Sequence, residues 1–71
     1  MDKNDDLKRL GQRIKELRKE KGLSQAKLGL AIEKDQQSIN KIESGDFNPT
    51  YLYLVAISRG LEISVSELLD F

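Results

Sequence analysis

The side chains able to do chemistry in this 71-residue chain are amines, guanidinium groups, carboxylates, hydroxyls and amides; cysteine and histidine are both absent. That excludes the usual zinc ligand sets and every nucleophile–base pair built on those two residues. No metal, no cofactor and no enzymatic activity is expected, because the scattered carboxylates and serines have no base to activate a nucleophile. What remains is ionic chemistry, and it is segregated along the chain. Twelve basic side chains balance twelve acidic ones, yet ten of the basic ones (Lys8, Arg9, Arg13, Lys15, Arg18, Lys19, Lys21, Lys27, Lys34, Lys41) fall within residues 8–41. Only Glu16, Glu20, Glu33 and Asp35 oppose them there, and both flanks are acidic. Such charges on amphipathic helices can simply face solvent, but a one-sided positive face also suits a phosphate backbone.

The elements that must position these charges are helices. Leu7, Leu10, Ile14 and Leu17 recur at three- and four-residue steps, which predicts a first helix over Leu7–Lys21. Asp5 or Asp6 can cap it, and Gly22 can end it. Ser24 caps a short second helix, Gln25–Ile32, with Gly29 in its middle where a neighbour must come close. Asp35 opens a third, Gln36–Ser44, with Ile39 and Ile42 inward and Gly45 as terminator. Thr50 after Asn48-Pro49 opens a fourth, in which Tyr51, Leu54, Val55 and Ile57 are expected inward and which ends near Gly60. Ser64-Val65-Ser66-Glu67 fits a capping box before a fifth.

No strand-like alternation, repeat or linker is present. The length allows one domain, expected over residues 7–71, behind a flexible acidic arm over residues 1–6. The polar start is no secretory signal, and no run approaches the roughly 18 apolar residues of a membrane span. A cytoplasmic protein is expected, with no membrane partner.

Two short helices joined by a tight break suggest a helix-turn-helix. The run Leu23-Ser24-Gln25, then Leu28, Gly29, Ile39, Ile42, Glu43, Gly45 and Asn48-Pro49, closely resembles the lambdoid phage repressor and Cro family of DNA-binding domains, also called the XRE family. The resemblance spans about residues 7–70. It implies an all-α, compact five-helix lambda-repressor-like fold whose third helix lies in the major groove while the second crosses the DNA backbone.

Carried onto this sequence, the resemblance makes Gln36, Gln37, Asn40 and Lys41 the base-contacting residues. An amide matches the N6 and N7 edge of adenine, and a lysine donates to guanine or to a phosphate. Gln25, at the start of the second helix, is expected on a backbone phosphate, with Lys27, Lys34, Ser38 and Asn48 as further phosphate contacts. Glu43 is expected to pair with Arg18 as a structural ion pair. The implied partner is double-stranded DNA and the implied role is transcription regulation, as in phage Cro proteins, restriction-modification controllers and some antitoxins.

Two departures matter. The turn, usually glycine followed by an apolar residue, is Glu33-Lys34 here, so a non-glycine residue is expected at positive φ, at a cost on the order of 1 kcal/mol. The loop Asp46-Phe47-Asn48 is acidic where relatives are basic, which predicts a shallow salt dependence and modest affinity per monomer. Dimerisation would offset that. Leu52, Tyr53, Ala56, Val65, Leu69 and Phe71 form the expected dimer or partner surface. The alternative reading uses that apolar surface for a protein partner, as an antitoxin-like or adaptor module.

Overall fold

The structure is a computed structural model that describes residues 3–71. Five helices follow in order: α1 (Lys3–Glu20), α2 (Gln25–Ala31), α3 (Gln36–Glu43), α4 (Tyr51–Gly60) and α5 (Val65–Leu68). Among the described residues there is no strand, and no helix is long and apolar enough to cross a membrane.

The expected caps are present. Ser24 Oγ accepts from the Lys27 amide at 3.0 Å, Asp35 Oδ1 from Ser38 at 2.7 Å, and Thr50 Oγ1 from Tyr53 at 3.1 Å. Ser64 and Glu67 close the capping box in both directions. At the other ends, α1 to α4 all close with the same paired bonds, in which the chain turns through a left-handed residue. Gly22 and Gly45 take that position after α1 and α3, with φ of 71° and 82°. Glu33 and Glu62 take it after α2 and α4, both with φ of 59°. The strain expected at Glu33 is therefore present, and a second instance occurs at Glu62.

The first helix begins four residues earlier than its apolar pattern indicates. Asp5 and Asp6 lie inside its first turn and do not cap it from outside. Carboxylates there face the positive end of the helix dipole, which favours continuing the helix N-terminally. Residues 3–6 are helical and continue α1; Met1 and Asp2 lie outside the described residues.

The core is one cluster of Ile14, Leu17, Leu28, Ile39, Ile42, Ile57, Leu61 and Leu68. Helix α3 packs on both α1 and α2, so the two helices of the motif are held as a unit against the long first helix. Two glycines permit this approach. A Cβ at Gly11 would run into the carbonyls of Ile42 and Glu43, and one at Gly29 would lie 2.6 Å from the carbonyl oxygen of Lys34. Either is closer than carbon and oxygen can pack, so a side chain at Gly11 would push α3 off α1.

The fourth helix is rotated from its expected phase. Tyr51, expected inward, is 66% exposed, whereas Tyr53, expected outward, packs against the core with Leu54. The fully buried Ile57 and Leu61 set the phase: positions three and four before Ile57 share its face, and they are Leu54 and Tyr53.

Candidate nucleic-acid interface

The third helix presents one face to the core and the other to solvent. Ile39 and Ile42 are almost wholly buried, while Gln36, Gln37, Asn40 and Lys41 are all exposed. These four side chains form the ridge that sequence spacing placed on the outer face. Lys27 on α2, Lys34 in the turn and Asn48 in the following loop are also exposed. Ser38 is half-buried.

Local bonding fixes where this ridge begins. After α2, the Lys34 amide donates to Gly29 O at 2.8 Å and the Glu33 amide to Leu30 O at 3.3 Å, which folds the turn back onto the helix it leaves. Asp35 then caps α3. Hydrogen bonds from the Ser38 backbone N–H and then its hydroxyl hold the Asp35 carboxyl below its usual range, so the cap stays ionised.

The turn is also held from the far side. The Lys34 ammonium lies 4.9 Å from the centroid of the Tyr53 ring, and Phe47 meets the same ring at 5.8 Å with a 59° tilt. The Tyr53 hydroxyl is buried beside a cleft of about 120 Å³ lined by Ser38, Lys41, Phe47 and Tyr53. Ser38 is its polar neighbour but does not reach it with hydrogen-bonding geometry. Burial pushes the Tyr53 phenol above its ordinary pKa. Tyr53 therefore does not belong to the outer apolar surface; it ties α4 to the turn and to α3.

Behind the ridge lies an ion pair. Arg18 Nε donates to Glu43 Oε2 at 2.6 Å, and Arg18 Nη2 to Oε1 at 3.0 Å; the two residues are only 7% and 8% exposed. Arg18 Nη1 also reaches Leu23 O at 2.7 Å. Its hydrogen bonds to Glu43 raise the guanidinium pKa further, against the opposing effect of burial.

Gln25, expected on a backbone phosphate, is hydrogen-bonded within the protein. Its Nε2 donates to Glu43 Oε1 at 3.0 Å and to Asn40 Oδ1 at 3.3 Å, so both amide protons have partners within the protein. A half-buried amide beside a carboxylate turns toward it, because a charged acceptor is the strongest available.

The remaining apolar candidates divide. Leu52 is 76% exposed, and Ala56 lines a groove with Glu33, Arg59 and Glu62. Leu69 and Phe71 are partly exposed, and Arg9 stacks on the Phe71 ring at 5.4 Å. Val65 is half-buried. Arg13 donates to the carbonyls of Glu67 and Leu68 at 2.6 and 3.3 Å, fastening α5 to α1, a role that spacing did not reveal. Leu30, at 80% exposure the most open large apolar side chain among the described residues, was also not anticipated.

Residues 14–68 match the helix-turn-helix family. The chain belongs to that family. This helix-turn-helix protein is a DNA-binding transcription regulator of the XRE type and not an enzyme. It is 42% identical over 66 residues to the control protein C.MunI of a Mycoplasma species, covering 92% of this chain and 89% of that one. Among solved structures, the restriction-modification controller protein C.AhdI from Aeromonas hydrophila superposes with a TM-score of 0.92 at 33% identity, covering 97% of this chain and all of that one. A point mutant of the restriction-modification controller protein C.Esp1396I gives a TM-score of 0.84 at 33% identity over 90% of this chain and 81% of that one. The clp gene regulator ClgR from C. glutamicum, at 22% identity and a TM-score of 0.85 over 87% of this chain and 80% of that one, shares the fold.

Proposed function

We propose that this regulator is a restriction-modification controller that binds a two-fold-symmetric site as a homodimer. Its α3 would enter the major groove, with Gln36, Gln37, Asn40 and Lys41 toward base edges and Lys27, Lys34, Ser38 and Asn48 toward phosphates. The observation that carries this reading is the outer face of α3, a row of amides and a lysine over an inner face of Ile39, Ile42 and the ion-paired Glu43. The controller role rests on the likeness to C.MunI and C.AhdI over nearly the whole chain. Leu52 and Ala56, with Leu69 and Phe71, supply apolar area for a second copy, and a symmetric pair of half-sites multiplies a contact that is weak in one protomer. Work on DNA implies a cytoplasmic protein that resides on the nucleoid.

Selection from random duplexes at fixed salt tests this, together with sedimentation of the protein with and without the selected duplex. A palindromic consensus and a dimer on DNA are expected. An asymmetric consensus bound by a monomer would count against the dimer, and capture of a protein partner through α4 and α5 without any DNA preference would favour the adaptor reading.

A further inference from the structure

The hydrogen bonds behind the ridge form one chain, from Arg18 to Glu43 to Gln25 to Asn40, and that chain has a polarity. A carboxylate bonded to arginine can only accept. The group that Gln25 turns toward Glu43 Oε1, at 3.0 Å, must therefore be its NH2 and not its carbonyl. The same nitrogen lies 3.3 Å from Asn40. A donor there requires an acceptor opposite, so Asn40 turns its Oδ1 inward and its NH2 outward on the exposed face of α3. A free asparagine has no such preference and can rotate to offer one donor and one acceptor to adenine.

We propose that Gln25 is a positioning residue that sets the orientation of Asn40, so that Asn40 meets DNA as a donor and selects guanine over adenine at its base pair. Guanine shows only acceptors, O6 and N7, in the major groove; adenine adds an N6 donor that would face the Asn40 NH2. The inference rests on α3 being the groove-facing helix. It assigns Gln25 to specificity through a neighbour, in place of a phosphate contact.

The test is selection from random duplexes at one salt concentration with the wild type, Asn40→Ala, Gln36→Ala and Gln25→Met. Asn40→Ala locates the base pair whose preference depends on Asn40. Guanine is expected there for the wild type. In Gln25→Met the guanine-over-adenine ratio should fall about tenfold, within the range one side-chain–base pair supplies. The preference that Gln36→Ala erases should persist in Gln25→Met, which a general loosening of the fold would not allow. A readout independent of variant folding is the wild type on a duplex with 6-thioguanine at that position, which keeps N7 but puts a weakly accepting sulfur in place of O6 and should bind severalfold more weakly.

Wild-type selection of adenine at the Asn40 position overturns the proposal, as does an unchanged ratio in Gln25→Met or full affinity for the thioguanine duplex. Equal weakening of all sequences by Asn40→Ala places Asn40 on a phosphate and also overturns it. If the wild type enriches no duplex at all, the reading of α3 fails along with the proposal. Enrichment with adenine at that position defeats the proposal alone.

Discussion

The ammonium of Lys34 sits over the ring of Tyr53, 4.9 Å from its centroid, and so joins the turn of the helix-turn-helix to the fourth helix. Tyr53→Leu removes this contact and the tilted pairing with Phe47, for a loss of about 1–2.5 kcal/mol in a urea melt. Tyr53→Phe keeps the ring and deletes a buried hydroxyl without a hydrogen-bond partner among the described residues, so its midpoint should equal or exceed that of the wild type. A large loss in Tyr53→Phe would show that the hydroxyl, and not the ring, makes the connection.

Stability should fall at both ends of the pH scale, from separate groups. Asp35 has a lowered native pKa, so its contribution is present above the usual carboxylate value and is lost as pH drops through the native one. Tyr53 has a raised native pKa; its contribution is intact below the ordinary phenol value and is lost as pH climbs through the native one. Denaturation series should show a shallower acid limb in Asp35→Asn, which keeps the cap acceptor, and a shallower alkaline limb in Tyr53→Phe. Unchanged limbs would remove these groups as the cause.

Removing one member of the Arg18–Glu43 pair leaves a buried charge without its partner. Glu43→Ala should cost about 3–5 kcal/mol, a large part of the stability of so small a domain. Replacing both with apolar residues, Arg18→Met with Glu43→Leu, should recover most of that loss. Thermal melts of the three proteins test the point, and an unchanged melt for Glu43→Ala would strip the pair of its structural role.

Glu33 holds a backbone conformation that suits glycine. Glu33→Gly relieves roughly 1–2 kcal/mol of strain and adds about 0.5–1 kcal/mol of unfolded-chain entropy. The net expectation is a gain of up to about 1.5 kcal/mol, or a melting temperature higher by about 6–12 °C at the upper end. A drop in melting temperature would mean that the Glu33 side chain stabilises the turn by more than its strain.

Sequence made the helices and their caps legible because caps are local: Ser24, Asp35, Thr50 and Ser64 each bond an amide three residues on. The left-handed closures were legible at Gly22 and Gly45. They were not at Glu62, where side-chain type gives no sign of φ. The phase of α4 was misjudged because Tyr51, Leu52 and Tyr53 are all bulky and apolar enough to be inward. Only the burial of Ile57 and Leu61 against other helices decides between them. The outer ridge of α3 followed from Ile39 and Ile42. The link from Gln25 to Asn40 spans 15 residues and depends on how α2 crosses α3, which no single-helix pattern encodes.

The most direct test of DNA reading by α3 is the affinity of Gln36→Ala and Gln37→Ala for the selected duplex and for an unrelated duplex, at the same salt. Each substitution should cost about 1–3 kcal/mol on the selected duplex and much less on the other, lowering the specificity ratio. Lys27→Ala, by comparison, should weaken both duplexes alike. Equal losses on both duplexes for the glutamine variants, or no loss on either, would contradict the assignment of the third helix to base recognition.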